Sequence, residues 1–344
     1  MRLWIDDMAT LARIEPGVDA SALEQSSKNV EIRRWTEDST QGAIPHDVVI
    51  EAFACETPPA FVEAMAAGGR RHAWVNLEYL SAERWVEDCH WLPSPHPRLP
   101  LVKHFFFPGF AAKTGGLLRE DGLLAARDRF AADDSARAAW WRALGVELPD
   151  QAITASLFAY PNVAVLPLLL TWTRSRRPIV CVVPDGLLRA PIASVFGDDV
   201  PVVGQPSSHG ALTVAIAPFV PQPDFDRMLW SCDINFIRGE DSFVRAQWAG
   251  KPMVWHIYPQ EGDAHRPKLE AFVERYVSGM EAPATAQVAR LFDAWNGRGD
   301  IVCAWDDIQP LLGRWTIDAR RWSDALATQP DLVTQLEEKV GTLL

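Results

Sequence analysis

The sequence predicts an α/β fold made of two successive halves, each a mainly parallel sheet covered by helices. Three observations predict it. Strand-like runs alternate with helical stretches, the pattern of parallel strands joined by crossover helices. The alternation occurs as two series joined near residue 150 by "VELPDQ". The 344 residues suffice for about two domains with a sizeable core each.

The first series opens with a strand at Arg2–Ile5 and a short helix, then a second strand over "VEIRRW" (30–35). "HDVVIEAFACETPPAFVEAMAAGG" gives a strand over 47–53 and a helix whose first turn tolerates Pro58 and Pro59 and which stops at Gly68-Gly69. "HAWVNLEYLSAERWVEDCH" gives a strand, a polar loop and a helix that Ser81 caps. The Pro- and Gly-rich stretch 91–120 reads as loop with one strand near 103–107. "SARAAWWRALG" reads as a helix with Gly145 just past its end.

The second series runs through the strand "AITASLFAY", a helix over 163–175 interrupted near Pro167, and the strands "PIVCVVPDG" and "LTVAIAPFV". It continues with the helix "QPDFDRMLWSC", the strand "INFIRG", the helix "DSFVRAQWAG" and the strand "PMVWHI". Near the end, Leu332, Val333, Leu336, Val340 and Leu343 recur at helical spacing. The expected domains are 1–149, 150–325 and a C-terminal helix, 326–344, that packs across either. Ligands in such sheets sit beyond the carboxyl ends of the strands.

Composition narrows the function. Net charge is −12, a poor balance for gripping nucleic acid or an anionic membrane and a suitable one for a cationic partner. The five cysteines are scattered, with no CxxC, which argues against a disulfide framework or zinc site and for a reducing compartment. The most apolar run, "VAVLPLLLTW", is far short of the roughly 20 residues of a membrane span. "KTGGLLRE" lacks P-loop spacing, and Glu83, Glu87 and His90 share a helix face without the HExxH pattern. That face reads as solvated rather than metal-binding.

Three stretches are candidate sites. In "CDINFIRGEDSFVRAQWAGKPMVWHIYPQ" (232–260), strand turns to helix through Arg238-Gly239-Glu240-Asp241-Ser242. A helix starting there aims unpaired N–H groups and its positive dipole end at the crevice, which suits phosphate. Asp241 or Ser242 simply caps the helix in the plainer reading. Arg238, placed to pair with phosphate or with Glu240, argues for a ligand as well. So does Glu240, which lies ahead of the helix body with its carboxylate free. In "APFVPQPDF" (217–225), Phe219, Gln222 and Phe225 offer ring faces and an amide edge to a planar base, core burial being the plainer reading for the rings. In "LFAYPN", Phe158 and Tyr160 share a strand face, Phe158 with core burial as its default.

The blocks "HDVVIEAFACETP", "WVNLEYLSAERWVEDCH", "FFFPGF…TGGLLRE" and "INFIRGEDSFVRAQWAGKPMVWHIYPQ", in that order, resemble the bacterial protein-arginine rhamnosyltransferase family that modifies elongation factor P. The resemblance covers most of the chain. It implies a GT-B fold, two Rossmann-like domains facing a cleft, with the nucleotide sugar mainly in the C-terminal one. It implies inverting transfer of L-rhamnose from dTDP-β-L-rhamnose to an arginine of elongation factor P, in the cytoplasm, with no metal or other cofactor, in support of translating polyproline stretches. By the same resemblance Phe219, Gln222, Phe225 and Phe158 surround thymine, Tyr160 contacts the donor, and Arg238, Asp241 and Ser242 hold the diphosphate. Glu240 matches an acidic residue needed for activity. Such chemistry needs carboxylates to orient a guanidinium whose pKa exceeds about 12 and to accept its proton. A helix N-terminus stabilises the leaving diphosphate without a metal.

One departure matters. Family members begin with a further strand and helix carrying a "DNxGDIG" loop that holds essential aspartates, including the general base. This chain starts at what matches the following strand, so its N-terminal sheet is expected to lack its usual first strand and to expose apolar surface. Asp6 and Asp7 do not stand in for that loop. Donor binding is expected to survive better than transfer. Two rival readings follow: a nucleotide-sugar or elongation-factor-P binding protein with little transfer activity, and a GT-B-like epimerase or hydrolase of a nucleotide sugar.

Overall fold

In the computed structural model, which describes residues 1–36, 39–53 and 55–344, the chain divides into two units. The first gathers Met1–Leu117 with Pro330–Leu344, and the second takes Leu118–Gln329.

The first unit runs β1 (Arg2–Ile5), α1 (Met8–Ile14), β2 (Glu24–Ser27), β3 (Val30–Arg34), β4 (Val48–Ala52), α2 (Pro59–Ala67), β5 (Ala73–Leu77), α3 (Trp85–Cys89), β6 (Pro93–Pro95) and β7 (Val102–Phe106). Its strands make two sheets, β1-β3-β2 and β4-β5-β7-β6. β1 pairs parallel to β3, and β4, β5 and β7 run parallel. β2 and β3 form a hairpin in which Lys28 and Asn29 both take positive φ, 47° and 65°, the two-residue turn that matches strand twist.

β1 and β4 are each the edge of their sheet, and both line one cavity of about 170 Å³. Leu3, Val48 and Ile50 are exposed there. The Trp4 ring meets Phe61 edge-on at 5.4 Å, while its buried indole N–H has no partner among the described residues.

The second unit runs α4 (Leu123–Ala132), α5 (Asp134–Ala143), β8 (Ile153–Leu157), α6 (Val165–Thr173), β9 (Ile179–Pro184), α7 (Arg189–Phe196), β10 (Ser207–His209), β11 (Leu212–Ala217), α8 (Gln222–Ser231), β12 (Ile234–Arg238), α9 (Asp241–Ala249), β13 (Met253–His256), α10 (Arg266–Val277), α11 (Ala284–Trp295), α12 (Ile301–Ile308) and α13 (Leu312–Ala327). The sheet order is β10-β11-β9-β8-β12-β13, parallel except for β10. The chain builds outward from β8 through β9 to β11, then returns to place β12 on the other side of β8. That reversal between β8 and β12 is where a crevice opens at the carboxyl edge of such a sheet. Behind the sheet, Trp172 packs on Trp305 at 5.3 Å and Phe236 on Trp295 at 4.6 Å.

The structure adds elements that the sequence pattern did not show, among them β2, β6, α4, α7, β10 and α10 to α13, and four expected features turn out differently. The units divide after Leu117, ahead of the expected boundary at 149/150, because α4 and α5 belong with the second unit: Phe130 of α4 packs on Trp230 of α8, and Trp141 of α5 joins a core cluster with Val180, Val182 and Met228. The terminal helix α14 (Leu332–Gly341) packs on the first unit, with Leu332, Leu336, Val340 and Leu343 against Val75 and Phe106, while Val333 stays exposed. Pro167 does not interrupt α6, since it falls in the first turn, where an N–H has no helical partner to lose. Ser81 turns back onto Glu83 rather than capping α3. Gly145 behaves as expected: at φ +79° it closes α5, with its N–H donating to the Arg142 carbonyl and that of Val146 to the Trp141 carbonyl.

The glycines of "KTGGLLRE" serve packing. A Cβ at Gly115 would stand 2.1 Å from the fully buried Phe106 ring. Gly115→Ala is therefore expected to lower stability by about 1–3 kcal/mol, the usual cost of overpacking a core. Thermal unfolding of the variant checks it, and an unchanged midpoint would contradict the close approach.

Candidate functional site

Three parts of the second unit meet at the carboxyl edge of its sheet. The segment leaving β8 carries Phe158 and Tyr160, the last residue of β12 is Arg238, and the first turn of α8 carries Gln222 and Phe225. The Arg238 guanidinium lies 4.4 Å from the centre of the Phe158 ring and 4.6 Å from that of Tyr160. Phe225 meets Phe158 edge-on at 5.9 Å. Phe158, Tyr160, Phe225 and Arg238 are thus one cluster, although the first two stand some 80 positions before Arg238 in the chain.

Among the described residues the Arg238 side chain makes no hydrogen bond or ion pair, and its Nε is buried without a partner. Ring faces attract a cation by about 0.5–2 kcal/mol. That leaves the donor capacity of the guanidinium unused, and such a group is ready for an anion.

The strand–helix junction follows from Gly239, which takes φ +71°, and from Trp255, whose indole N–H donates to the Gly239 carbonyl at 2.9 Å. Glu240 occupies the N-cap of α9 and makes no side-chain capping bond. Neither Asp241 nor Ser242 caps the helix, contrary to the plainer expectation. Asp241 accepts from Gln222 Nε2 at 2.8 Å, and Ser242 Oγ donates to the Arg238 carbonyl at 2.8 Å. No side-chain cap thus meets the first-turn N–H groups, and the positive end of the helix dipole points the same way. Glu240 also departs from expectation. Its carboxylate takes an ion pair with Lys268 of α10 at 2.8 Å instead of standing free, and it does not pair with Arg238. Phe219 is exposed two residues beyond β11.

The spacing of single residues did not reveal His256, Asn162 or Tyr258, which adjoin the same cluster. His256 pairs in register with Arg238 across β12 and β13, and its ring meets Tyr160 at 5.4 Å. Asn162 Nδ2 donates to His256 Nδ1 at 3.2 Å. Tyr258 meets Tyr160 edge-on at 5.4 Å. Burial, then the nearby charges of Arg238 and His265, push the His256 pKa down to about 4, so the ring is neutral near pH 7 and Nδ1 is free to accept. Among the described residues no three His, Cys, Asp or Glu side chains form a metal cluster.

Comparison with known proteins relates the chain to a described family. A family model described as "Elongation-Factor P (EF-P) rhamnosyltransferase EarP" matches residues 1–340. Curated proteins named protein-arginine rhamnosyltransferase are 48% identical in Pseudomonas putida and 44% identical in Pseudomonas aeruginosa, each match covering 98% of this chain and 89% of the relative. A solved structure described as the basis for EarP-mediated arginine glycosylation of translation elongation factor EF-P is 34% identical, with TM-score 0.69, covering 100% of this chain and 98% of that one.

The state of His256 sets a pH dependence. The unfolded histidine takes a proton near 6.5 and the folded one only near 4. The unfolded chain therefore binds more protons between those values, and stability falls as pH drops from about 6.5 to 4. His90 of the first unit, also held down to about 4 by burial, contributes in the same window. His256→Gln is expected to flatten the slope of unfolding free energy against pH there. Denaturant titrations at pH 4.5, 5.5 and 6.5, taken as roughly spanning the window, measure it, and an unaltered slope would contradict a buried neutral ring.

Proposed function

The chain belongs to the family of elongation-factor P rhamnosyltransferases, glycosyltransferases with this α/β, GT-B-like fold; from that premise we propose that it transfers L-rhamnose from dTDP-β-L-rhamnose, with inversion, to an arginine side chain of elongation factor P. The modified factor would then support translation of polyproline stretches in the cytoplasm. The observation that carries the donor half is Arg238, a guanidinium held between aromatic rings at the mouth of an uncapped helix, with no carboxylate on it. A sugar diphosphate supplies two negative phosphates to that mouth.

The roles of the other residues follow from where they stand. Phe158, Phe225 and Phe219 offer faces and edges to thymine, and the Gln222 amide, now turned to Asp241, offers it hydrogen bonds. Tyr160, set against the guanidinium, would contact the donor. Ser242, its hydroxyl already donated to the Arg238 carbonyl, contributes its backbone N–H. Asp241 keeps the amide and the helix start together. As the sugar bond breaks, charge grows on the diphosphate, and Arg238 with the α9 amides stabilises it without a metal or other cofactor.

Glu240 faces the acceptor. A guanidinium stays protonated at neutral pH, so it is both attracted and oriented by a carboxylate, and the attacking nitrogen must lose its proton as the bond forms. Lys268 holds that carboxylate in place until the acceptor competes for it. The matched relatives are named as transferases, which favours transfer over binding alone and over release of free sugar.

One incubation with dTDP-rhamnose and elongation factor P, followed by mass analysis of the factor and assay of free rhamnose, tests the reading. A deoxyhexose added to the factor supports it. Free rhamnose alone indicates hydrolysis, and donor binding with neither product indicates a binding protein. Glu240→Ala is expected to abolish transfer while leaving the unfolding midpoint in place, and undiminished turnover would remove Glu240 from the mechanism. Arg238→Met is expected to weaken dTDP binding about 10- to 100-fold, the size of a lost charged hydrogen bond, and calorimetry on that variant measures it.

A further inference from the structure

Gln222 and Asp226 lie one turn apart on α8, as do Asp241 and Arg245 on α9. The two helices are joined by two polar rungs. One is the Gln222–Asp241 hydrogen bond at 2.8 Å. The other, one turn further in, is an ion pair of 3.2 Å between Asp226 and Arg245, residues only 5% and 6% exposed. Arg245 also grips both carboxylate oxygens of Glu120, just ahead of α4, and stands 4.0 Å from Asp241. One buried guanidinium therefore ties α8, α9 and the approach to α4.

We propose that Asp226 and Arg245 are positioning residues for the nucleotide: the inner rung fixes the register of α8 against α9 and so sets where the Gln222 amide and the α9 mouth stand. The inference rests on the donor site described above and names what holds it in shape. In this reading both act through Gln222 and the start of α9 rather than on the ligand itself.

Stability alone accounts poorly for the inner rung. Burial pushes the Asp226 carboxyl up to about 6 against the pull of Arg245, and Glu120 and Asp241 push it the same way. A carboxyl with a raised folded pKa contributes its stability at low pH and loses it as pH rises through 6. At neutral pH the ionised pair stays buried without a net contribution from this source, in keeping with the general behaviour of buried ion pairs. A cavity of about 390 Å³ adjoins it, lined among others by Gln222, Pro223, Asp226 and Arg245, so packing alone does not lock the register. A polar pair kept under those conditions beside a binding crevice is better accounted for by the ligand than by the core.

Calorimetric titration of dTDP into the full chain at pH 7.5, beside thermal unfolding, separates the two roles. Asp226→Asn is expected to keep its unfolding midpoint, or raise it, while binding dTDP about tenfold more weakly, as coupled neighbours usually do. Arg245→Lys, which loses the fork, is expected to weaken binding at least as much, and Glu120→Gln, at the exposed end of the network, less than either. Asp226→Asn binding as tightly as the parent chain would overturn the inference alone, and so would a failure of that variant to fold, because the pair would then belong to stability. A parent chain that binds no dTDP would overturn the donor site itself.

Discussion

A positive charge set against aromatic rings, with no hydrogen bond or ion pair among the described residues, is the constraint on which the second unit depends. Arg238 ends a strand whose other residues are buried, and its guanidinium is flanked by Phe158 and Tyr160 rather than by a carboxylate. Leaving a donor-rich group unpaired is costly, and the fold accepts that cost where the strand order reverses between β8 and β12. The surrounding features keep the charge available. Gly239 takes a left-handed turn, so α9 starts immediately. Glu240, the nearest acid, is drawn to Lys268 on another helix. Asp241 is drawn to Gln222. Each neighbouring carboxylate has a partner of its own, which keeps it off Arg238.

Much of the second unit was legible in the sequence because its strands are short apolar runs with helices between them, and because the polar junction at 238–242 is contiguous. Helices α10, α11 and α13 were not legible from terminal signals. His265, Pro283 and Leu311 stand at their N-caps, and none makes a side-chain capping bond. Their stability comes from buried rings such as Tyr276, Trp295 and Trp315, the last donating its indole N–H to the Tyr276 hydroxyl at 3.0 Å. The roles of Lys268, Asp226 and Arg245 were hidden for a different reason. Their partners lie 19 to 125 positions away, and periodicity carries no information at that range. The same distance hid the stacking of Arg238 on Phe158, even though both residues stood out in the sequence.

The first unit shows how local chemistry and chain length trade off. The hairpin at Lys28-Asn29 and the proline-started helix α2 follow from two or three residues each. The docking of α14 does not. Its face of Leu332, Leu336, Val340 and Leu343 was readable as helical, yet nothing in that spacing chose Phe106 and Val75 over any other apolar surface. The glycine pair at 115–116 supplied the missing hint. Gly115 lets the chain lie on the Phe106 ring, and Gly116, at φ +68°, passes close to the Pro330 carbonyl that precedes the helix.

The paired edges of β1 and β4 have a consequence for handling the protein. Each offers a ladder of peptide groups with no lateral neighbour, bordered by Leu3, Val48 and Ile50. Such borders recruit strands from whatever chain is near. At the crowding reached in overexpression or refolding, sheet-to-sheet joining between molecules would compete with the native fold, and yield would fall as concentration rises. Lys or Pro introduced at Leu3 or Ile50 would blunt that competition.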